Sequence, residues 1–230
     1  WTEFLNYEYR LAPGQWYWGP ADGINGSGAL SHDALRVPDL VAADALMMYL
    51  QPGAQDWTDY RVETKQYLTG GVTADGEIEP TDGFPIGLWV RGHYQESDIN
   101  AQWVTGYYII VKSSDDPAVH WVRLGQPQIP GDCTTACDNP NTQYAFNNVK
   151  VLCDWHENGC GTAFAGEYQH FRWYTLTVEV RGNNIKAWLD GELAFDYTDD
   201  NQPFMDGTVG FKTHETKTAS FDDLIVTKLP

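Results

Sequence analysis

Three side chains with chemical potential stand on alternate positions of one stretch: Trp89, Arg91 and His93, within Phe84 to Lys112 (FPIGLWVRGHYQESDINAQWVTGYYIIVK). In extended chain, residues two apart share a face roughly 6–7 Å from one another. An indole, a guanidinium and an imidazole are therefore expected in a row. Ile86, Leu88 and Val90 form a purely apolar opposite face. A strand that only had to be soluble would carry Thr, Ser, Lys or Glu in that row. Tyr107, Tyr108 and Lys112 add aromatic and basic groups on the partner strand, and Arg61, Glu63 and Lys65 repeat the theme on an earlier one. Such a mixture suits a carbohydrate: an aromatic ring meets the C–H side of a pyranose, and forked or charged groups meet its hydroxyls or carboxylates. The plain alternative is a solvated sheet face with paired charges. An outward Trp89 beside Arg91 argues against it.

The elements that must position these groups read as strands. Tyr60, Val62 and Thr64 alternate with Asp59, Arg61, Glu63, Lys65 and Tyr67. Gly70-Gly71, Asp75-Gly76 and Asp82-Gly83 punctuate the loop before the central pair. Val119 to Leu124 is a further short strand. Tyr174, Leu176, Val178 and Val180 alternate with polar residues, Gly182-Asn183-Asn184 turns the chain, and Ile185, Ala187 and Leu189 follow. Asp190-Gly191 is a type I′ hairpin signal. Val209, Phe211 and Phe221 to Thr227 supply the last strands. Ala45 to Leu50 reads as a strand, with a short helix capped by Asp39 as its rival. Residues 1–40, with Trp1, Phe4, Trp16 and Trp18, have little periodicity, and Asn25-Gly26-Ser27 matches a glycosylation triplet. Turn signals at roughly 8–12-residue spacing predict a β-sandwich with Leu88, Val90, Leu176, Val178, Leu189, Val209 and Phe211 in its core.

A chain of 230 residues with Lys+Arg 14 against Asp+Glu 32 has a net charge of -18. That argues against nucleic acid and anionic membrane surfaces as partners. No apolar run approaches 18 residues, so no membrane insertion is expected, and no signal peptide is visible. The chain opens at Trp1 rather than Met, which reads as a mature or trimmed protein. Cys133, Cys137, Cys153 and Cys160 share a loop-like stretch at about 125–165, too long for an ordinary connection. Their spacing is not that of a common zinc site, although His156 keeps zinc open. Two disulfides in an oxidising compartment is the favoured reading, with three connectivities available.

WTDYRVETK, GLWVRG, GYYIIVK, WYTLTVEVRGNNIKAWLDGELAFDY, DGTVGFKTH and FDDLIV together resemble the concanavalin A-like jelly roll. Within it, the chain is similar to the laminin-G-like and keto-disaccharide-hydrolase-like domains of secreted carbohydrate-active proteins. The resemblance covers about residues 45–230; 125–165 departs from it as an insertion. It implies an all-β jelly-roll β-sandwich of two antiparallel sheets, a single domain over 1–230, and a secreted or periplasmic location. It also implies a concave face binding a polysaccharide or oligosaccharide, onto which the strand phase opposite the apolar set is expected to bring Arg61, Glu63, Lys65, Trp89, Arg91, His93, Tyr108 and Lys112.

That fold also hosts enzymes. Retaining glycosidases of this kind carry closely spaced acids on one strand; Asp75-Gly76-Glu77-Ile78-Glu79 is broken by Gly and ends at Pro80. A lyase neutralises a uronate carboxylate with Arg or Lys while His or Tyr removes the adjacent proton. In an enzymatic reading His93, Arg91, Tyr108 and Glu63 are the expected catalytic groups, although the lyase Tyr-Phe-Lys strand is replaced by Gly106-Tyr107-Tyr108-Ile109. A structural or adhesive surface domain is the third class. No required cofactor is expected; Asp222 and Asp223, or Asp199 and Asp200, are the candidates for a structural calcium, with an acidic surface turn as the alternative.

Overall fold

The computed structural model describes residues 2–5, 16–20, 22–33, 43–68, 71–72, 78–79, 86–96, 102–115, 118–127, 149–216 and 218–230. Two antiparallel sheets carry nearly all of it. The first is ordered β1 (Thr2–Leu5), β4 (Ala43–Met48), β16 (Thr208–Thr216), β8 (Ile86–Glu96), β9 (Gln102–Asp115), β10 (Ala118–Pro127) and β11 (Val149–Cys153). In the same sheet, β12 (Ala163–Ala165) pairs with β10. The second is ordered β15 (Glu192–Thr198), β14 (Asn184–Leu189), β13 (Trp173–Arg181), β5 (Tyr60–Leu68), β17 (Thr218–Lys228), β3 (Ala29–Asp33) and β2 (Trp16–Gly19). A two-stranded ribbon, β6 (Gly71–Val72) with β7 (Ile78–Glu79), stands apart. Among the described residues the one α-helix is α1, Trp155–Asn158. This is the expected jelly-roll sandwich, and Ala43–Met48 is the strand rather than the rival helix.

The core follows from alternation. On β5 and β13 the residues Tyr60, Val62, Tyr174, Leu176, Val178 and Val180 point between the sheets, where they meet Leu88, Val90, Val209 and Phe211 of the first sheet. All seven residues expected in the core are buried there, Leu189 included. Tyr107, Ile109 and Val111 are the inward set of β9, which turns Tyr108, Ile110 and Lys112 to the opposite side. Asp190 and Gly191 both take left-handed backbone, φ 50° and 85°, as the type I′ turn between β14 and β15 requires.

The described part of the 125–165 stretch is built onto a sheet edge. β11 pairs with the end of β10, α1 follows, and β12 returns to the start of β10. Cys153 and Cys160 are joined by a disulfide across α1. Cys133 and Cys137 lie outside the described residues, as does Asp75-Gly76-Glu77.

Candidate functional site

The residues expected on one surface belong to two sheets. Arg61, Glu63 and Lys65 lie on β5 of the second sheet, whereas Trp89, Arg91, His93, Tyr108 and Lys112 lie on β8 and β9 of the first. A single concave face carrying all eight is therefore not formed: periodicity sorts residues to the inside or outside of a strand but does not say which sheet the strand joins.

Within the first sheet a second correction applies. Trp89 and Arg91 are each 1% exposed and Tyr108 is 5% exposed, so none is a surface group. Trp89 does point away from the core, but it is buried beside Met48 and Tyr108. Its Nε1–H donates to the Thr105 carbonyl at 3.0 Å. Arg91 leaves the alternation altogether. The register of β8 on β9 shifts between Val90 and His93, and Arg91 sits in that bulge with φ 53°, a left-handed conformation that costs a branched or long side chain strain. Gly207 packs against it so closely that a Cβ there would fall 2.3 Å from the Arg91 carbonyl carbon. The Arg91 guanidinium, pushed down by burial, donates to the Phe204 carbonyl at 3.0 Å and to Asp59 Oδ1 at 3.4 Å. Beside it Tyr107 donates to Asp199 Oδ2 at 2.7 Å and accepts from the Phe204 amide at 3.0 Å. This network fastens the segment from Asp199 to Phe204 across the end of the sandwich. His93 is 31% exposed and its Nε2 lies 2.7 Å from Asp206 Oδ1.

At the other end of β9, Lys112 is half-buried and its ammonium is pushed down by burial and by the Arg123 guanidinium. Arg123 pairs with Asp154 and Glu157. Asp154 also accepts from Trp121 Nε1 at 2.9 Å and caps α1 by accepting from the His156 and Glu157 amides. These contacts organise a corner around the Cys153–Cys160 bridge.

The open site is on the outer face of the second sheet. Lys65–Thr175 and Glu63–Thr177 are paired across β5 and β13, and Thr177 is paired with Trp188 across β13 and β14. The outward residues Arg61, Glu63, Thr175, Thr177, Trp188 and Asp190 line a depression of about 370 Å³. The Arg61 guanidinium stands 5.4 Å from the centre of the Trp188 ring and 3.7 Å from Glu63 Oε2. Thr177 Oγ1 donates to the same Glu63 oxygen at 3.1 Å, and Lys65 Nζ donates to Thr175 Oγ1 at 2.6 Å. Asp190 accepts from the Thr175 amide at 2.7 Å and from Arg172 at 2.8 Å. The floor is thus an indole, and the walls are two hydroxyls, two carboxylates and one cation. Arg61, Glu63 and Lys65 stand on one outward row of β5, as their alternation with Val62 and Thr64 predicts, and the first two line the depression. Trp188 is not among the residues expected from the sequence; it sits in phase with Lys186 on an outward row, and its signal is an aromatic beside the Asp190-Gly191 turn.

Among the described residues no group of three or more His, Cys, Asp or Glu is gathered to hold a metal. Asp222 accepts from the Ile24 amide at 3.0 Å and Ser27 Oγ at 2.7 Å, and its other oxygen from the Asp223 amide at 2.8 Å. Burial opposes its ionisation, but these donors outweigh it and hold the carboxyl below the usual range. Asp199 is buried on Tyr107 and the Asn201 amide, and Asp200 accepts from Asn183. These aspartates tie segments together through amides and hydroxyls.

Residues 54–227 match the family described as the 3-keto-alpha-glucoside-1,2-lyase-like domain. No protein of curated function matches the sequence. Among solved structures, a protein of unknown function with a galectin-like fold from Bacillus subtilis is 10% identical, with 99% of this chain and 88% of that one covered, at a TM-score of 0.51. The carbohydrate-binding module CBM66 from Bacillus subtilis is 16% identical over 92% and 91% of the two chains, at 0.49. Domain 4 of AbnA, a GH43 extracellular arabinanase from Geobacillus stearothermophilus, is 12% identical over 99% and 81%, also at 0.49. At these identities the likeness is one of fold.

Proposed function

The chain belongs to the 3-keto-alpha-glucoside-1,2-lyase-like domain family, and from that premise we propose that the outer face of its second sheet binds a carbohydrate. The observation that carries this is Trp188, set in an open depression under Arg61 and ringed by Glu63, Thr175, Thr177 and Asp190. An indole floor takes the apolar face of a pyranose, while hydroxyls and carboxylates at its edge exchange hydrogen bonds with the ring hydroxyls. The net charge of -18 repels a polyuronate, so the preferred glycan is neutral. A secreted, single-domain recognition module suits this surface and the Cys153–Cys160 disulfide.

The family's description favours a second reading, cleavage of a 3-keto-α-glucoside. A ketone at C3 acidifies the C2 proton. A carboxylate base in the depression would take it, the C–H electron pair would form a C1=C2 double bond, and the C1–O bond would break to release the alcohol. Glu63 is the carboxylate in the wall of the depression bonded to Thr177, and it is the base in that reading.

Retention on insoluble cellulose, starch, xylan and arabinan, read beside release of reducing or unsaturated ends, separates these uses. Binding alone predicts retention without product, and Trp188→Ala weakening it about tenfold with the unfolding midpoint unchanged. Cleavage predicts product from a 3-keto-α-glucoside that Glu63→Gln abolishes while affinity is kept. Neither retention nor product would leave the adhesive role expected of some surface domains of this fold.

A further inference from the structure

A second aromatic platform lies on the same outer face, beyond the depression. Tyr67 and Trp173 are paired across β5 and β13, with ring centres 4.9 Å apart. Phe171, half exposed, meets Tyr67 edge-on at 6.3 Å. Tyr67 and Trp173 share the outward phase of Glu63, Lys65, Thr175 and Thr177, because Tyr174, Leu176 and Leu68 take the core. Three aromatic rings gathered at one partly exposed patch of the sheet are costly to leave to water, and nothing in the depression uses them.

The sheet fixes the distance between the two platforms. Trp173 is four residues from Thr177 on β13, and Thr177 is paired with Trp188 on the next strand. That places Trp173 roughly 14 Å from Trp188. A hexose unit advances about 5 Å along a chain, close to the spacing between strands. The gap therefore spans about three units, and what fills it is polar: Lys65 bonded to Thr175, and Asp190 bonded to the Thr175 amide.

We infer that the face binds a neutral oligosaccharide chain lying obliquely along β13, with one sugar on Trp188 and another, about three units away, on Tyr67 and Trp173. A single sugar or a chain end would need only the depression. This rests on the depression binding carbohydrate, and it adds the length and direction of the ligand.

Calorimetric titration with cello-, malto- and xylo-oligosaccharides of one to six units, extended to the backbone of any other retained polysaccharide, tests it. Affinity is expected to rise between two and four units and then level. Trp173→Ala should cost about tenfold on the tetramer and little on the dimer. Trp173 packs on Tyr67, so each variant's unfolding midpoint is measured as well. Phe171→Gly provides a second variant: Phe171 has φ 60°, a conformation glycine takes freely, so the ring is trimmed without strain on the strands. It should reduce tetramer affinity in the same direction. Equal affinity for dimer and tetramer, or equal losses on both in Trp173→Ala, would overturn the second platform and leave the depression intact. No heat from any ladder together with no retention on any polysaccharide would remove the reading beneath it.

Discussion

On β5, Arg61 and Glu63 stand partly in solvent around an open depression, while on β8 Trp89 and Arg91 keep 1% of their surface. Both strands alternate apolar residues with aromatic or charged ones, and both put the apolar phase into the same core. The difference lies in what happens on the other side. The outer phase of β5, β13 and β14 bonds sideways within its own sheet, Glu63 to Thr177 and Lys65 to Thr175, and leaves Trp188 partly exposed. On the outer side of β8 and β9, Trp89, Tyr108 and Ile110 are buried, and the bulge at Arg91 turns its guanidinium to the end of the sandwich. Residue type alone thus does not separate a binding face from a structural one; whether the outer side of the sheet is left open or buried does.

The comparison breaks most visibly at Trp89. Trp89→Ala removes a fully buried indole from between Met48, Gly92, Gly106 and Tyr108, and should destabilise the protein by about 3–5 kcal/mol in urea unfolding. Glycan retention by the folded fraction should stay unchanged. A loss below about 1 kcal/mol coupled to lost retention would make Trp89 a surface platform after all.

Much of this architecture was legible. Tyr174, Leu176, Val178 and Val180 announce a half-buried strand, and Asp190-Gly191 announces its hairpin, because a period of two and a paired positive φ leave few alternatives. Arg61, Glu63 and Lys65 were correctly placed on one outward row for the same reason. The partnership of those residues with Trp89 and Arg91 was not legible, since it depends on β5 joining β13 and β17 while β8 joins β9 and β16. Nor was the inward turn of Arg91. It depends on Gly106 and Gly207, at φ 125° and 131°, folding closely around a bulge, and glycines 15 and 116 residues away leave no local mark beside Arg91.

Asp154 sharpens the contrast with a smaller effect. Burial works against its carboxylate, but hydrogen bonds from Trp121, Arg123 and the Glu157 amide outweigh it and hold the group below the usual carboxylate range. A carboxyl depressed in the folded state contributes stability above its unfolded value of about 3.9, and that contribution is lost as pH falls from there through the folded value. The wild-type protein should therefore lose stability on that acid limb, and Asp154→Asn should flatten part of it. At neutral pH Asp154→Asn should cost about 2–3 kcal/mol, because Arg123 loses its buried partner and α1 its charged cap. The corresponding change on the open face, Glu63→Gln, should move stability by no more than about 0.5 kcal/mol, since its partner Arg61 is 45% exposed.

The finest discrimination is at Arg61, whose guanidinium stands over the Trp188 ring on the open face. Its guanidinium is planar and can lie against the Trp188 indole while one edge faces Glu63; an ammonium in Arg61→Lys is compact, more strongly hydrated and holds neither ring nor carboxylate in a fixed plane. The lost cation–π contact at an exposed site is worth about 0.5–1 kcal/mol, which is within the noise of most unfolding curves and within reach of calorimetry. Stability should hold, while affinity for a neutral tetrasaccharide falls about two- to fivefold through a less ordered Trp188. Raising salt should change that loss little, because the sugar carries no charge for either cation to attract. A large, salt-sensitive loss would instead mean that Arg61 meets an anionic ligand directly, and the open face would then be a site for charged glycans rather than neutral ones.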